Sequence, residues 1–226
     1  MTDSLKFIPD STPPSTQPGL FIAFEGGDGA GKSTQVALLA EALREAGHDV
    51  VTTREPGGTD IGEKLRELVL NHGNGVVDAR TEALIFAASR AAHAEQLIRP
   101  AQAAGKIVLC DRYIDSSAAY QGAGRGLGVE AVTDLSLWAT KNLVPDLTVF
   151  IDVPLSDGRN RSDIRGAADR MESEPDEFHH TIHQTFGKIA RAGRQNYATV
   201  DGTRSVEDVH REILATVLTA MKKKAL

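Results

Sequence analysis

Eight residues, Gly26-Gly27-Asp28-Gly29-Ala30-Gly31-Lys32-Ser33, constrain this chain more than any other stretch. They fit G-x-x-x-x-G-K-[ST], the spacing of a phosphate-binding loop. Glycines let successive backbone N–H groups turn inward around oxyanions, and the helix that follows adds the positive end of its dipole. Lys32 can reach the β- and γ-phosphates of a nucleoside triphosphate, and the Ser33 hydroxyl can ligate Mg²⁺; Thr34 follows as part of the same cradle. The flanks agree with this reading. Leu20–Glu25 (LFIAFE) is a continuous apolar run, as a buried parallel strand requires, and Val36, Leu39, Ala40 and Leu43 recur at helical spacing until Gly47 stops them.

Other segments extend the pattern. Residues 1–18 are rich in Pro, Ser and Thr without periodicity and read as a disordered tail, so the domain spans 19–226. Strands are expected at Asp49–Arg54, Lys106–Cys110 (with Asp111 at the end), Leu147–Val153 and Ala198–Asp201. Helices are expected at Ile61–Leu70, Ala79–Ala104 (disturbed near Pro100), Ser116–Tyr120, Val129–Asn142 and Asp176–Tyr197. Ser205, with Asp208 three residues on, can cap a last helix. The alternation predicts an α/β, three-layer P-loop NTPase fold: a five-stranded parallel sheet with helices on both faces. Ligands of such sheets sit beyond the carboxyl ends of the strands, where this chain places Glu25, Arg54, Asp111, Asp152 and Asp201.

Composition narrows the classes further. A formal net charge of −6 argues against a general nucleic-acid-binding surface. The single Cys110 rules out an intramolecular disulfide framework and suits a reducing cytoplasm. No apolar run approaches the ~18 residues of a membrane span, and no charged-then-apolar leader is visible.

A phosphate-binding loop leaves switches, motors and kinases open. A guanine-reading N-K-x-D is absent; Thr140-Lys141-Asn142 is the nearest sequence and does not fit. The third strand ends Asp111-Arg112, which either pairs a Mg²⁺-holding carboxylate with a phosphate-clamping guanidinium or is a simple ion pair. Arg159, Arg161, Arg165 and Arg170 lie between the fourth strand and a helix. They suit a lid over phosphates at about 157–171, or a solvated face neutralised by Asp163 and Asp169.

Four blocks go beyond the loop: Phe24-Glu25-Gly26, Arg54-Glu55-Pro56-Gly57-Gly58-Thr59, Asp111-Arg112-Tyr113, and Ser116-Ser117-Ala118-Ala119-Tyr120-Gln121-Gly122. Together, and in this order from about Leu20 onward, they resemble the bacterial type of thymidylate kinase. The resemblance implies transfer of the γ-phosphoryl of ATP-Mg²⁺ to dTMP, with a homodimer as the assembly. It implies that Asp28 accepts a hydrogen bond from the deoxyribose 3′-OH, and that Arg54 and Arg112 grip the acceptor phosphate with Glu55 and Arg66 in support. Phe86 would stack on the pyrimidine, although from the residues alone it reads as core. Arg90, one turn later, would meet a base carbonyl. Ser116, Ser117 and Gln121 would complete recognition, and Tyr120 would crowd the 2′ position. With no arginine among Gly27, Asp28, Gly29 and Ala30, the resemblance assigns the catalytic arginine to the lid, as Arg165 with Arg161 beside it. Lys32 and Arg112 would be the other catalytic cations, and Ser33 and Asp111 the metal ligands. Asp163 departs from the pattern. The alternatives are a kinase of another deoxynucleotide or deoxynucleoside, or a nucleotide-dependent regulator without phosphotransfer.

Overall fold

A computed structural model describes residues 18–158, 169–193 and 195–224. The central strand β1 (Phe21–Glu25) is buried along its whole length. It pairs in parallel with β3 (Ile107–Asp111) on one side and β4 (Leu147–Asp152) on the other. β2 (Val50–Arg54) and β5 (Tyr197–Asp201) form the edges, giving the all-parallel order β2-β3-β1-β4-β5. The five-stranded parallel sheet expected from the alternation is present.

Alternation along β1 divides the core into two layers. Ile22 and Phe24 point to one face and pack with Leu39 and Leu43 of α1 (Lys32–Glu45) and with Val209, Ile213 and Val217 of the C-terminal helix (Val206–Lys224). Phe21 and Ala23 point to the other face, against Ile98, Ala101, Cys110 and Tyr113, with the Phe21 and Tyr113 rings edge to face at 5.0 Å. A third cluster of Leu70, Tyr120, Phe150, Phe178 and Phe186 lies against that side and backs the site, with Phe150 and Phe186 stacked at 5.6 Å.

The caps are local and legible. Thr59 accepts a hydrogen bond from the Gly62 amide at the head of α2 (Asp60–Leu70), and Asp78 accepts from the Arg80 and Thr81 amides at the head of α3 (Ala79–His93). Ser205 and Asp208 cap the last helix, as read from the sequence.

Four helix boundaries differ from the expected ones. The long helix after Ala79 gives way at Ala94–Ile98 to a π-turn, followed by a short helix at Arg99–Ala103. Pro100 has no N–H to donate back along the helix, and the widened turn lies just ahead of it. The helix expected at Ser116–Tyr120 starts at Ile114 and continues as a π-turn over Ala118–Gly124, into the glycine-rich stretch expected to end it. Gly124 permits this, because a Cβ there would meet the Phe178 ring at 2.6 Å. The helix from Val129 ends at Ala139, where Lys141 and Asn142 turn left-handed. The helix from Asp176 ends at Arg191, so that Tyr197 joins β5 opposite Thr148 rather than closing a helix.

Strand register brings Phe24 and Arg54 both level with Asp111. Glu25, Arg54 and Asp111 therefore gather at one end of the sheet. Asp152 and Asp201, paired with each other, line a separate shallow groove with His183 and Arg204 and take no part in that gathering. The tail and the arginines at 159, 161 and 165 lie outside the described residues. Among the described residues, no helix is long and apolar enough to cross a membrane.

Candidate active site

The loop between β1 and α1 folds as its sequence demands. Gly26, Gly29 and Gly31 all have positive φ, and Gly31 in the left-handed region starts α1 with no acidic residue in its first turn. Gly29 also lies so close to Gly158 that a Cβ would meet its carbonyl oxygen at 1.8 Å. The Lys32 ammonium crosses the loop and donates to the carbonyls of Gly26 (3.1 Å) and Gly27 (2.7 Å). Burial first, and the nearby Arg112 charge second, lower its pKa to about 8. An amine strained in this way favours an anion beside it.

Ser33 begins the same helix, and its hydroxyl donates to Asp111 Oδ2 at 2.6 Å. The two expected metal ligands are thus adjacent, one from the loop and one from the end of β3. A hydroxyl and a carboxylate are the hard oxygen donors Mg²⁺ takes, and two protein oxygens suit an ion that keeps waters and bridges phosphates. No cluster of three or more His, Cys, Asp or Glu that could hold a metal occurs among the described residues.

Arg112 is the centre of the arrangement. Its backbone is left-handed (φ 71°), an uncommon geometry for a non-glycine residue that turns its side chain back under the loop. One guanidinium nitrogen donates to Gly26 O (3.0 Å) and Ser116 Oγ (3.1 Å); the other reaches Asp28 Oδ1 (2.5 Å) and Tyr120 Oη (3.3 Å). Burial opposes the charge, but Tyr120, Asp28 and Asp111 outweigh it and hold the group firmly cationic. Asp28 accepts a second bond from the Tyr120 hydroxyl at 2.7 Å. Its own burial acts to raise its pKa, yet the Arg112 and Lys32 charges and this bond bring it down to about 2. Beneath them Glu25 holds the Tyr113 and Ser116 amides and accepts from the Ser116 hydroxyl. Burial, then the Asp115 charge, push the Glu25 carboxyl upward.

Two more arginines converge on the same space. Arg54 pairs with Glu63 at 2.8 Å, and Arg66 donates to Pro56 O at 2.9 Å. Burial and then the charges of Arg54 and Arg112 lower the Arg66 pKa. Three cations that repel one another around a cavity form an anion site.

The far end of the cavity is built by α3 and the Ala118–Gly124 turn. Phe86 lines it half-buried; Arg90, one turn on, is almost wholly enclosed. Arg90 Nε donates to Glu55 Oε2 at 2.6 Å, Nη1 to Ser136 Oγ at 2.9 Å, and Nη2 to Ser117 Oγ at 2.9 Å and Tyr113 O at 3.1 Å. Four of its five N–H groups are therefore occupied within the protein, and one on Nη1 remains. Glu55 is likewise enclosed, its other oxygen bonded to His93 Nδ1 at 2.9 Å, while His93 Nε2 meets Thr53 Oγ1 at 2.8 Å. Glu55, expected beside the phosphate-gripping arginines, is thus tied to Arg90 and His93, whereas Arg54 pairs with Glu63 and Arg112 with Asp28.

One cavity brings together Asp28, Lys32, Ser33, Arg54, Glu55, Arg66, Phe86, Arg90, Asp111, Arg112, Ser116, Ser117, Tyr120 and Gln121. Thr34 sits apart. With Gly29, Ala30, Gly31 and Ser33 it lines a second groove beside the loop, closed by Gly202, Arg204, Ser205 and Val206. Arg170, grouped in sequence with the lid arginines, is bonded to Glu82 (2.6 Å) and Val69 O (2.8 Å). Sequence reasoning missed the second groove, the lining residues Asp169, Met171 and Glu172, and Glu82. The helical spacing that joins Phe86 to Arg90 extends back to Glu82 and was the available signal.

The sequence model of the thymidylate kinase family matches residues 24–213. This chain belongs to the thymidylate kinase family. A thymidylate kinase of Clavibacter sepedonicus is 50% identical over 198 residues, covering 87% of this chain and 93% of its own. One from Exiguobacterium sibiricum is 47% identical over 206 residues, covering 91% and 97%. Among solved structures, thymidylate kinase from Ehrlichia chaffeensis superposes with a TM-score of 0.72 at 34% identity, over 88% of this chain and all of that one. The family match spans the loop, Arg112 and the far end of the cavity together.

Proposed function

We propose that this chain transfers the γ-phosphoryl group of ATP to dTMP, giving dTDP and ADP. The observation that carries this reading is the shared cavity. Lys32 and Ser33 of the donor loop open into the same space as Arg54, Arg66 and Arg112, and Asp28 lies between the two groups. The second groove beside Thr34 receives the donor nucleoside. The acceptor phosphate then lies in the arginine cluster with an oxygen facing the loop, and its base extends toward Phe86, Arg90 and Gln121.

The acceptor oxygen is already anionic, so no strong general base is needed. Phosphoryl transfer depends on alignment and on stabilising charge over the transferring group. Lys32 and Arg112 meet that group from two sides, and Asp28, held ionised, fixes Arg112 and receives the sugar 3′-OH. Ser33 and Asp111 would hold Mg²⁺, which would supply further positive charge to the donor phosphates. Arg161 and Arg165 add lid cations. Leu84 and Trp138 stand 58% and 81% exposed on α3 and the Val129–Ala139 helix, and a second copy of the chain covers them in a homodimer. A reduced buried thiol and an ATP-dependent reaction suit the cytoplasm.

Two outcomes test this reading. Incubation with ATP, MgCl₂ and dTMP should yield dTDP and ADP in equal amounts, and excess chelator should stop both; ADP release without dTDP would contradict it. The Lys32 pKa gives the second. The protonated amine binds phosphate, and in the free enzyme it loses its proton as pH rises through about 8. kcat/KM for ATP therefore falls above about pH 8, whereas the alkaline limb of kcat lies higher, because bound phosphates favour the charged amine. Coincident limbs in the two profiles would contradict the role.

A further inference from the structure

Glu82 is fully buried in α3, one turn before Phe86, and belongs to none of the roles above. Its carboxylate sits among three donors. Gln121 Nε2 donates to Oε1 at 2.9 Å; Arg170 Nη2 donates to Oε2 at 2.6 Å; Arg125 Nε reaches both oxygens at 3.1 and 3.2 Å. The arginines are themselves fixed. Arg125 pairs with Glu174 at 2.6 Å and lies over the Phe178 ring, and Arg170 Nε is bonded to Val69 O.

A carboxylate only accepts, so the face Gln121 turns toward Glu82 must be its NH₂. That leaves Gln121 Oε1, which is buried and has no partner among the described residues. An unpaired buried acceptor on a residue that lines the substrate cavity calls for a donor from the ligand. Resting on the dTMP reading above, we propose that Glu82 is a positioning residue that sets the base specificity of the enzyme. By locking the Gln121 amide, it makes that side chain an obligatory acceptor for a pyrimidine N3–H. Thymine and uracil carry that hydrogen. Cytosine presents a bare N3, and the two acceptors would face each other without a proton between them.

The arrangement predicts more than a loss. In Glu82→Gln, Arg125 and Arg170 draw the new carbonyl to the Oε2 side, which turns the new NH₂ toward Gln121. Two NH₂ groups cannot bond each other, so Gln121 inverts and offers its own NH₂ to the base. A site built around one hydrogen-bond polarity rejects the other strongly. The ratio of kcat/KM for dTMP over dCMP should therefore fall by roughly tenfold or more, with the dCMP term rising or holding while the dTMP term falls. Arg90 still opposes the 4-amino group, so some preference for dTMP survives. A purely structural role would lower both terms together and leave the ratio unchanged, and that result would overturn the proposal.

Removing one charge from a buried cluster can also prevent folding, so a second measurement uses the unsubstituted protein. The Gln121 Nε2 proton bonded to Glu82 should exchange slowly with solvent, and markedly more slowly than exposed glutamine amides, both in the free enzyme and with dTMP bound. Rapid solvent exchange of both Nε2 protons in the free enzyme would overturn the lock. Wild-type phosphorylation of dTMP, measured in the same assay, keeps failure of the lock distinct from failure of the substrate reading.

Discussion

Arg112→Ala lowers the turnover of dTMP by about two orders of magnitude or more, the scale of removing a preorganised charge from a transferring group. This one guanidinium ties the donor loop to the acceptor side: the loop carbonyl of Gly26, Ser116, Tyr120 and Asp28 all bond to it. Its loss removes a cation from the acceptor phosphate and also releases Asp28, whose ionised state rests chiefly on the Arg112 charge. The variant should lose stability as well, by about 1–3 kcal/mol, because a partly buried carboxylate loses its principal partner. Adding Asp28→Asn to Arg112→Ala should restore the thermal midpoint and leave turnover low. Recovery of turnover in the double variant would show that Arg112 acts only as a counter-ion.

Lys32→Ala should also cost about 10²–10³ in kcat, with kcat/KM for ATP falling at least as far. Its stability signature is opposite. The ammonium is a desolvated cation next to another cation, and its pKa is lowered accordingly. An uncharged side chain relieves that cost, so the thermal midpoint should hold or rise. The two carbonyls it leaves are not equally exposed to loss, since Gly26 O keeps its bond from Arg112. The pair of variants therefore separates catalysis from folding: both are slow, and only one is destabilised. Near-normal kinetics in either, measured on folded protein, would contradict the account of the site.

The features that were legible in the sequence are those whose cause is local. The phosphate loop is set by glycines at fixed spacing, and the strands by short apolar runs, so the parallel sheet followed. Arg54, Asp111 and Arg112 are at strand ends, and register alone brings them to the loop. What was not legible depends on partners far along the chain. The π-turn over Ala118–Gly124 passes through glycines because Phe178 packs against Gly124. Arg90 reads as a base-contacting side chain at i+4 from Phe86, but Glu55, Tyr113, Ser117 and Ser136 enclose it from three other segments. Arg170 reads as a lid cation and is anchored on Glu82, 88 residues away. Asp152 and Asp201 occupy strand ends like the others, but on β4 and the edge strand β5, where they line a different groove. Helical spacing from Phe86 and Arg90 could have drawn attention to Glu82, but only the convergence of Gln121, Arg125 and Arg170 gives it a role.

The most direct test of the central claim, that the arginine cluster and the base end together form a dTMP site, is a ranking of acceptors. kcat/KM should be measured by coupled ADP release with dTMP, dUMP, dCMP, dAMP and thymidine at saturating ATP-Mg²⁺. The account predicts dTMP first and dUMP below it, because both carry the N3–H. It predicts dCMP and dAMP far lower, and thymidine, which has no phosphate for Arg54, Arg66 and Arg112, close to background. Preference for any acceptor other than dTMP would contradict it.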